Sequence, residues 1–477
     1  MILIPVLLLI AGGVMALKAG DGQAKVSADV FTIGSAIVAV GVALLAPGTP
    51  VTILRFGEGL TLTFAADTLG RFYIILISAI FAMVQLFAPG YMDHEGKQAQ
   101  FYAFFQFTFA ALLCVSSAAN AVTFYMCFEL MTLLSMPLVL HNGTEISRSA
   151  AFKYLGYSTF GASLALLGFF IAAANLDSLA FTSGGVNITG SLTAVMAAYV
   201  LIFIGFGCKA GLVPLQLWLT EAHPVAPSPA SAVLSGIITK AGVLGIIRAT
   251  FFLFGADIIR GTGVQTVLTV LTLVTIFMGS MLASREKVLK RRMAYSTISN
   301  VSYVLFGIIL LNETAFSGAM LQLVFHALAK DVLFLAAGAI ILKTGCTYVD
   351  QLKGIGRRMP GTMWCFTLSA LSLIGIPPMG GFIAKWYLCL GALEGGRALG
   401  AIGVAVLMIS ALLTAFYLLS ITAEAFFPGK DYVSPGKCEL SARMLIPLAA
   451  MTAIIVILGA FPNGLISFFG SIASAIM

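Results

Sequence analysis

The chain has 477 residues, 60% of them hydrophobic and only 9% charged, with a mean hydropathy of +1.04. A soluble domain carries roughly a quarter charged residues, so an ordinary water-soluble fold is excluded. The net charge of +7 would suit nucleic acid, but the basic residues sit in short loops between apolar runs, a membrane-topology pattern, and no nucleic-acid partner is expected.

Apolar runs of about 20 residues recur from end to end, each long enough to cross a ~30 Å hydrocarbon core as a helix. No hydrophilic stretch is long enough for a separate domain, and the alternation of a spanning β-barrel is missing. The expected fold is an all-α polytopic membrane protein, a single transmembrane domain over residues 1–477 with about 14 helices.

In chain order, MILIPVLLLIAGGVMALK comes first; without a basic start or an A-x-A cleavage site it reads as a transmembrane helix, not a removed signal. Spans centred near residues 38, 79 and 109 follow, then VTFYMCFELMTLLSMPLVL, whose only charge is Glu129. After a span near residue 162, FGCKAGLVPLQLWL places Pro214 behind Lys209 in the same apolar run. The Pro-rich connection TEAHPVAPSPASA holds Glu221 and His223, read as loop residues on the internal side. The next span, near residue 242, contains Lys240 and, towards its outer end, Arg248, a side chain long enough to snorkel to the interface. Beyond a span near residue 274 come REKVLKRR (285–292), AYSTISNVSYVLF, and HALAKDVLF with His326, Lys330 and Asp331. LSLIGIPPMGGFIAKW carries Pro377 and Pro378 ahead of Lys385, and spans near residues 412 and 452 complete the series.

With the N-terminus outside, the odd-numbered connections are internal and hold most of the Lys and Arg, Lys18, Lys25, Lys153, Lys343 and Lys430 among them. The external connections hold only Arg55, Arg71, Arg260 and Arg397. The positive-inside rule therefore favours both termini outside, with REKVLKRR as the internal anchor at the lipid headgroups.

Four lysines remain deep in apolar helices: Lys209, Lys240, Lys330 and Lys385. A carboxylate such as Glu129 costs roughly 2.5–3.5 kcal/mol at bilayer depth unless paired or protonated, which makes one of these lysines its expected partner. Burial disfavours a lysine's charged form, so a buried lysine can load and release a proton, whereas one held by Glu129 stays charged. His326 and Lys330, four apart, stack on one helix face about 6 Å from each other as a candidate proton relay. Asp331 points about 100° away from Lys330 and need not share that face. Ser296, Thr297 and Asn300 suit a wetted path and helix–helix hydrogen bonding equally well.

Proline removes a backbone donor, so helices are expected to break at Pro214 and at Pro377–Pro378. At membrane depth a break is tolerated only inside protein or beside a hydrated cavity. Two Pro-interrupted helices, one in each half and each with a lysine, are the pattern of an internally repeated transporter. The seven cysteines are scattered without a C-x-x-C pair, no phosphate-binding glycine motif is present, and His223 with Glu221 lacks further ligands. No cofactor and no metal are expected in this chain.

The stretch KAGLVPLQLWLTEAHPVAPSPASAVLSGIITKAGV, residues 209–243, closely resembles the signature of the antiporter-like subunits of respiratory complex I, membrane-bound hydrogenases and Mrp-type multisubunit Na⁺/H⁺ antiporters. RRMAYSTISNV, FHALAKDVLF and GIPPMGGFIAKW are similar to three further blocks of that family, and the resemblance covers most of the chain, about residues 60–430. It implies a subunit of about 14 helices with two inverted five-helix repeats, about 100–255 and about 264–426, each a half-channel with a broken helix. It implies further that Glu129 pairs with Lys209, that Lys240 is the central-axis lysine, that His326 and Lys330 form the second-half relay, and that Lys385 is the terminal residue on the broken helix. The chain departs from the family at Leu215–Gln216, Thr220 and Asn300, where Phe-His, Pro and His are usual, and at Asp331, usually a small residue. Lysine at position 385 argues against one complex I paralogue that has glutamate there, and the early end after the last helix argues against the distal type with its long lateral helix.

The expected function is that of an ion-translocating subunit, moving H⁺ or exchanging Na⁺ for H⁺, in a multisubunit, redox-driven complex of a prokaryotic inner membrane. Its partners are other membrane subunits and lipid. Catalysis of any redox step falls to those subunits. The rival readings are a stand-alone secondary transporter for an organic solute and a scaffold subunit whose charges pair statically.

Overall fold

The computed structural model describes every residue except Met1, Glu58, Gly59, Arg397, Lys430, Asp431, Val433 and Ser434. Two of the basic residues used for topology, Arg397 and Lys430, therefore lie outside the described residues. Helices α1 (Leu3–Ala19) and α2 (Asp21–Leu45) open the chain and pack against each other. The sequence reading has no strand, yet β1 (Val51–Gly57) and β2 (Leu60–Phe64) follow as an antiparallel hairpin with Val51 opposite Phe64. VTILRF and LTLTF are rich in β-branched and aromatic residues and too short to span a membrane, so pairing satisfies their backbone instead.

Then come α3 (Thr68–Met92), α4 (Gln98–Ser116), α5 (Ala121–Leu140), α6 (Glu145–Ala173), α7 (Leu192–Ala210) and the short α8 (Leu217–Val225). Side-chain caps start several of them: Asn120 accepts from the Thr123 N–H at 2.7 Å, and Thr144 from Ser147 at 3.1 Å. Helix α9 (Ser228–Phe254) runs continuously but contains two π-helical stretches, Leu234–Ile238 and Arg248–Phe254. It is followed by α10 (Gly263–Arg285), α11 (Leu289–Ile309), α12 (Glu313–Thr344), α13 (Pro360–Ile374), α14 (Gly380–Leu393), α15 (Ala398–Phe426), α16 (Ala442–Ala460) and α17 (Asn463–Ile476). Among the described residues, 11 helices are long and apolar enough to cross a membrane. Helix α17, about 21 Å long at 1.5 Å per residue, is absent from the sequence reading; it lays Phe469, Ile472, Ala473 and Ile476 inward and packs on α12.

The helices differ in what surrounds them. α9 is buried along its whole length and α12 along nearly all of it, whereas only about a third of α15's most apolar stretch is buried. A helix enclosed on every side has no polar face to present, which is why SAVLSGIITKAGVLGII and ALAKDVLFLAAGAI read as apolar all round. The charges within their buried lengths, Lys240 and Arg248 on α9 and Lys330 and Asp331 on α12, are therefore surrounded by protein.

Two helices are interrupted at matching features. α7 stops at Gly211 (φ 91°), Pro214 lies in the gap, and the chain resumes as α8. α13 stops at Gly375 (φ 90°), Pro377 and Pro378 lie in the gap, and the chain resumes as α14. A left-handed residue at a helix C-terminus is cheap only without a Cβ, so glycine ends each first half and proline prevents its continuation.

Arg248 does not snorkel. It is 2% exposed and makes a two-pronged ion pair with Asp67, at 2.5 and 2.7 Å, with the guanidinium beside the Phe181 and Phe252 rings. Asp67 also caps α3 through the Gly70 N–H at 2.9 Å. Burial alone would raise its carboxyl, but the Arg248 charge and these hydrogen bonds outweigh it and hold Asp67 below the usual carboxylate range.

Candidate functional site

The site begins where α7 ends. Lys209, in its last turn and 1% exposed, donates to Tyr154 Oη at 2.7 Å, Thr132 Oγ1 at 3.0 Å and Ser158 Oγ at 3.1 Å. The ammonium also lies 4.2 Å from the Tyr154 ring centre and 5.4 Å from that of Trp218. Three hydroxyls from α5 and α6 thus satisfy all three donors of the ammonium. Glu129, half-buried on α5, makes no ion pair with Lys209 within 4.0 Å, although each feels the other's charge. Its Oε1 is buried without a hydrogen-bond partner. Three hydroxyls hold the ammonium directly, while the Glu129 charge acts on it without an ion pair within 4.0 Å.

Two glycines of α9 carry the site inward. A Cβ on Gly242 would meet the Phe206 carbonyl at 2.5 Å and Lys209 Cβ at 3.1 Å, so α7 and α9 touch backbone to backbone beside Lys209. A Cβ on Gly236 would lie 2.3 Å from Asp331 Oδ1, so the α12 carboxylate rests directly on the α9 backbone. Lys240 lies between these two contacts and donates to the Ser235 carbonyl at 2.6 Å, within the widened turn of the first π-helical stretch. Asp331 and Lys240 are the charges that act on each other most directly.

On α12, His326, Lys330 and Asp331 are all fully buried. Lys330 donates to the Met293 carbonyl of α11 at 3.0 Å. Neither ring nitrogen of His326 has a protein partner, and the charges acting on the ring are those of Lys240 and Lys330. One turn back, Gln322 donates to Asn300 Oδ1 at 3.1 Å, and Asn300 to the Ser296 carbonyl at 2.9 Å. Ser296 Oγ accepts from Tyr417 at 2.7 Å, and Thr297 bonds Ser235 at 2.7 Å. The polar residues of α11 are therefore helix-to-helix links alongside the charged row. Lys385 on α14 donates at 2.7 Å to both the Leu373 and Ile374 carbonyls, C-terminal acceptors of broken helix α13 that the helix itself leaves unsatisfied. Its ammonium lies 5.3 Å from the Tyr303 ring centre.

Three residues take positions that the sequence reading left open or placed elsewhere. Asp331 faces α9 and Lys240, a relationship that spacing within HALAKDVLF could not show. His223 is not a loop residue: it belongs to α8, is fully buried, stacks 4.6 Å from Phe334, and leaves both ring nitrogens without a protein partner. The charges acting on it are Lys290, Lys330 and Lys240. Lys290 is buried against the Ala226 carbonyl at 2.9 Å, and the carboxylate acting on it is Glu95, in the loop between α3 and α4. Burial pushes Glu95 above the usual carboxylate range, against the pull of Lys290 and His94. A line of ionisable groups thus runs from that loop to the centre. Among the described residues no cluster of His, Cys, Asp and Glu could hold a metal ion.

Residues 118–414 match the family described as NADH:quinone oxidoreductase/Mrp antiporter, transmembrane. The chain is 33% identical over 411 residues to NADH-quinone oxidoreductase subunit N of Desulforudis audaxviator, covering 83% of this chain and 81% of that one. It is 33% identical over 343 residues to Hydrogenase-4 component B of Escherichia coli, covering 68% of this chain but only 50% of that longer protein. A chain of the Mrp complex from Dietzia sp. superposes with a TM-score of 0.87 at 21% identity, covering 100% of this chain and 96% of that one, a likeness of fold.

Proposed function

This chain belongs to the NADH:quinone oxidoreductase/Mrp antiporter transmembrane family, and we propose that it translocates ions as the antiporter-like subunit of a multisubunit membrane complex. One observation carries the reading: Lys209, Lys240 and Lys330 are buried in the protein interior and Lys385 is half-buried against broken helix α13, with Glu129 acting on Lys209 and Asp331 acting on Lys240. A static scaffold would pair each buried charge, because an unpaired one costs several kcal/mol. Here carbonyls and hydroxyls take the ammonium groups, and the buried imidazoles keep their nitrogens free. Such groups can pass a proton along and feel one another's charge as it moves. Glu129 and Lys209 form the first station, Lys240 the central one, His326 and Lys330 the second-half relay, and Lys385 the terminal one. The carried ion is H⁺, or Na⁺ in exchange for H⁺.

The same reading supplies the topology. Counting α1, α11 and each broken helix as a crossing gives about 14 spans, both termini outside. The matching breaks at Gly211–Pro214 and Gly375–Pro378 support inverted repeats over about 100–255 and about 264–426, each with a discontinuous helix. Partners are the other membrane subunits of a complex I, hydrogenase or Mrp type assembly in a bacterial inner membrane, and any redox chemistry is theirs.

The test is ion flux in proteoliposomes of the intact complex, with Lys209→Ala and Lys240→Ala introduced separately and subunit content checked in each preparation. Loss of flux in assembled complexes supports the reading. Parental flux in both variants supports a scaffold, and flux from the chain purified alone supports a stand-alone transporter.

A further inference from the structure

Asp331 is a fully buried carboxylate with no hydrogen bond to either oxygen among the described residues. An unsolvated carboxylate of that kind costs several kcal/mol unless it is neutralised or acts on a nearby cation. Its surroundings are specific. The carboxyl oxygens rest on the one residue of the first π-helical stretch that lacks a Cβ: a methyl on Gly236 would lie 2.3 Å from Oδ1 and 2.5 Å from Oδ2. Lys240, one turn further along α9, is the cation that acts on it, and Lys240 is itself tied only to a carbonyl, that of Ser235. On its own helix stand His326 and Lys330, and from α8 comes His223, whose field includes both Lys240 and Lys330.

We propose that Asp331 is a proton-binding site between Lys240 and His326; this rests on the translocation reading above. The N–H bond of the Lys240 ammonium breaks and an O–H bond forms on Asp331, converting a charged pair into a neutral amine and a carboxylic acid. The amine can then take the proton arriving from the Lys209 side. His326, five residues back on α12, makes no direct hydrogen bond with Asp331, so the acid passes its proton to the imidazole through intervening water, which returns the carboxylate. At rest the carboxylate offsets the Lys240 ammonium beside α9, and the extra positive charge of the arriving proton is passed on to His326, so the pair is restored after each transfer. The glycine at 236 is what admits the carboxylate to this position.

The test uses the intact complex in proteoliposomes. Asp331→Asn keeps the shape and removes the exchangeable proton, so flux should fall roughly a hundredfold, the usual contribution of a positioned acid–base group, with subunit content unchanged. Asp331→Glu should restore part of it. Infrared difference spectra of the parent, labelled with ¹³C-aspartate, should show a protonated-carboxyl stretch that shifts with the label and disappears in Asp331→Asn. That band needs no variant to fold, and its absence from the labelled parent overturns the proposal. Parental flux in Asp331→Asn while Lys240→Ala is inactive also overturns it and leaves the translocation reading standing. Parental flux in both removes that reading as well.

Discussion

Lys209 is fixed to Tyr154 twice over, by a 2.7 Å hydrogen bond to the phenol and by the 4.2 Å approach of its ammonium to the same ring. Glu129, expected to pair with it, acts on the ammonium by its charge without a direct ion pair. Tyr154→Phe keeps the ring and removes the hydroxyl. A buried hydrogen bond to a charged group contributes about 1.5–3 kcal/mol, so the variant should melt earlier and transport roughly tenfold more slowly. Thermal unfolding and vesicle flux on one preparation check both.

Glu129→Gln tests the indirect arrangement. A direct buried ion pair would cost about 3–5 kcal/mol on losing one partner. Because Glu129 makes no such contact, the variant should unfold within about 1 kcal/mol of the parent, as ordinary substitutions do. Coupled flux should nevertheless fall sharply, since the charge that Lys209 feels is gone. A large loss of stability would mean the pair closes in the working protein.

Arg248 and Asp67 give the opposite case, stability without transport. Asp67→Asn strands a guanidinium that is 2% exposed, at a cost of roughly 3 kcal/mol. Flux per assembled complex should be unchanged. Asp67 is held below the usual carboxylate range, so its contribution is present at neutral pH and is lost as the pH falls through that lowered value. Melting curves of parent and variant should therefore converge in acid.

Much of this arrangement could be read from the residues. Apolar runs and the lysines among them pointed to the membrane interior, and the prolines after Lys209 and before Lys385 lie in gaps between helices, because a missing donor and a fixed φ act locally. What spacing could not reveal was which helix each face meets. Asp331 stands 100° from Lys330 on α12, and only the position of α9 shows that this direction leads to Gly236 and Lys240. His223 sits among prolines and reads as loop, yet burial of α8 beneath Phe334 brings it into the core. Arg248 was read as free to reach the surface because its partner lies in a distant segment.

Lys385 should show both a structural and a transport phenotype. Its ammonium satisfies two terminal carbonyls of α13, an interaction of about 1–2 kcal/mol at a partly buried helix end. Lys385→Met should lower the melting temperature and abolish flux. Lys385→Arg keeps the donors but not a proton that leaves near neutral pH, so it should recover stability while flux stays low.

In the proposed pathway Lys330 joins the central lysine to the second half, and its substitution is the most direct test of a connected row. The measurement is ion flux in proteoliposomes of the intact complex carrying Lys330→Ala, with subunit content verified in the same vesicles. The account predicts assembled complex with flux at background and only partial recovery in Lys330→Arg. Assembled Lys330→Ala complex with parental flux would contradict it.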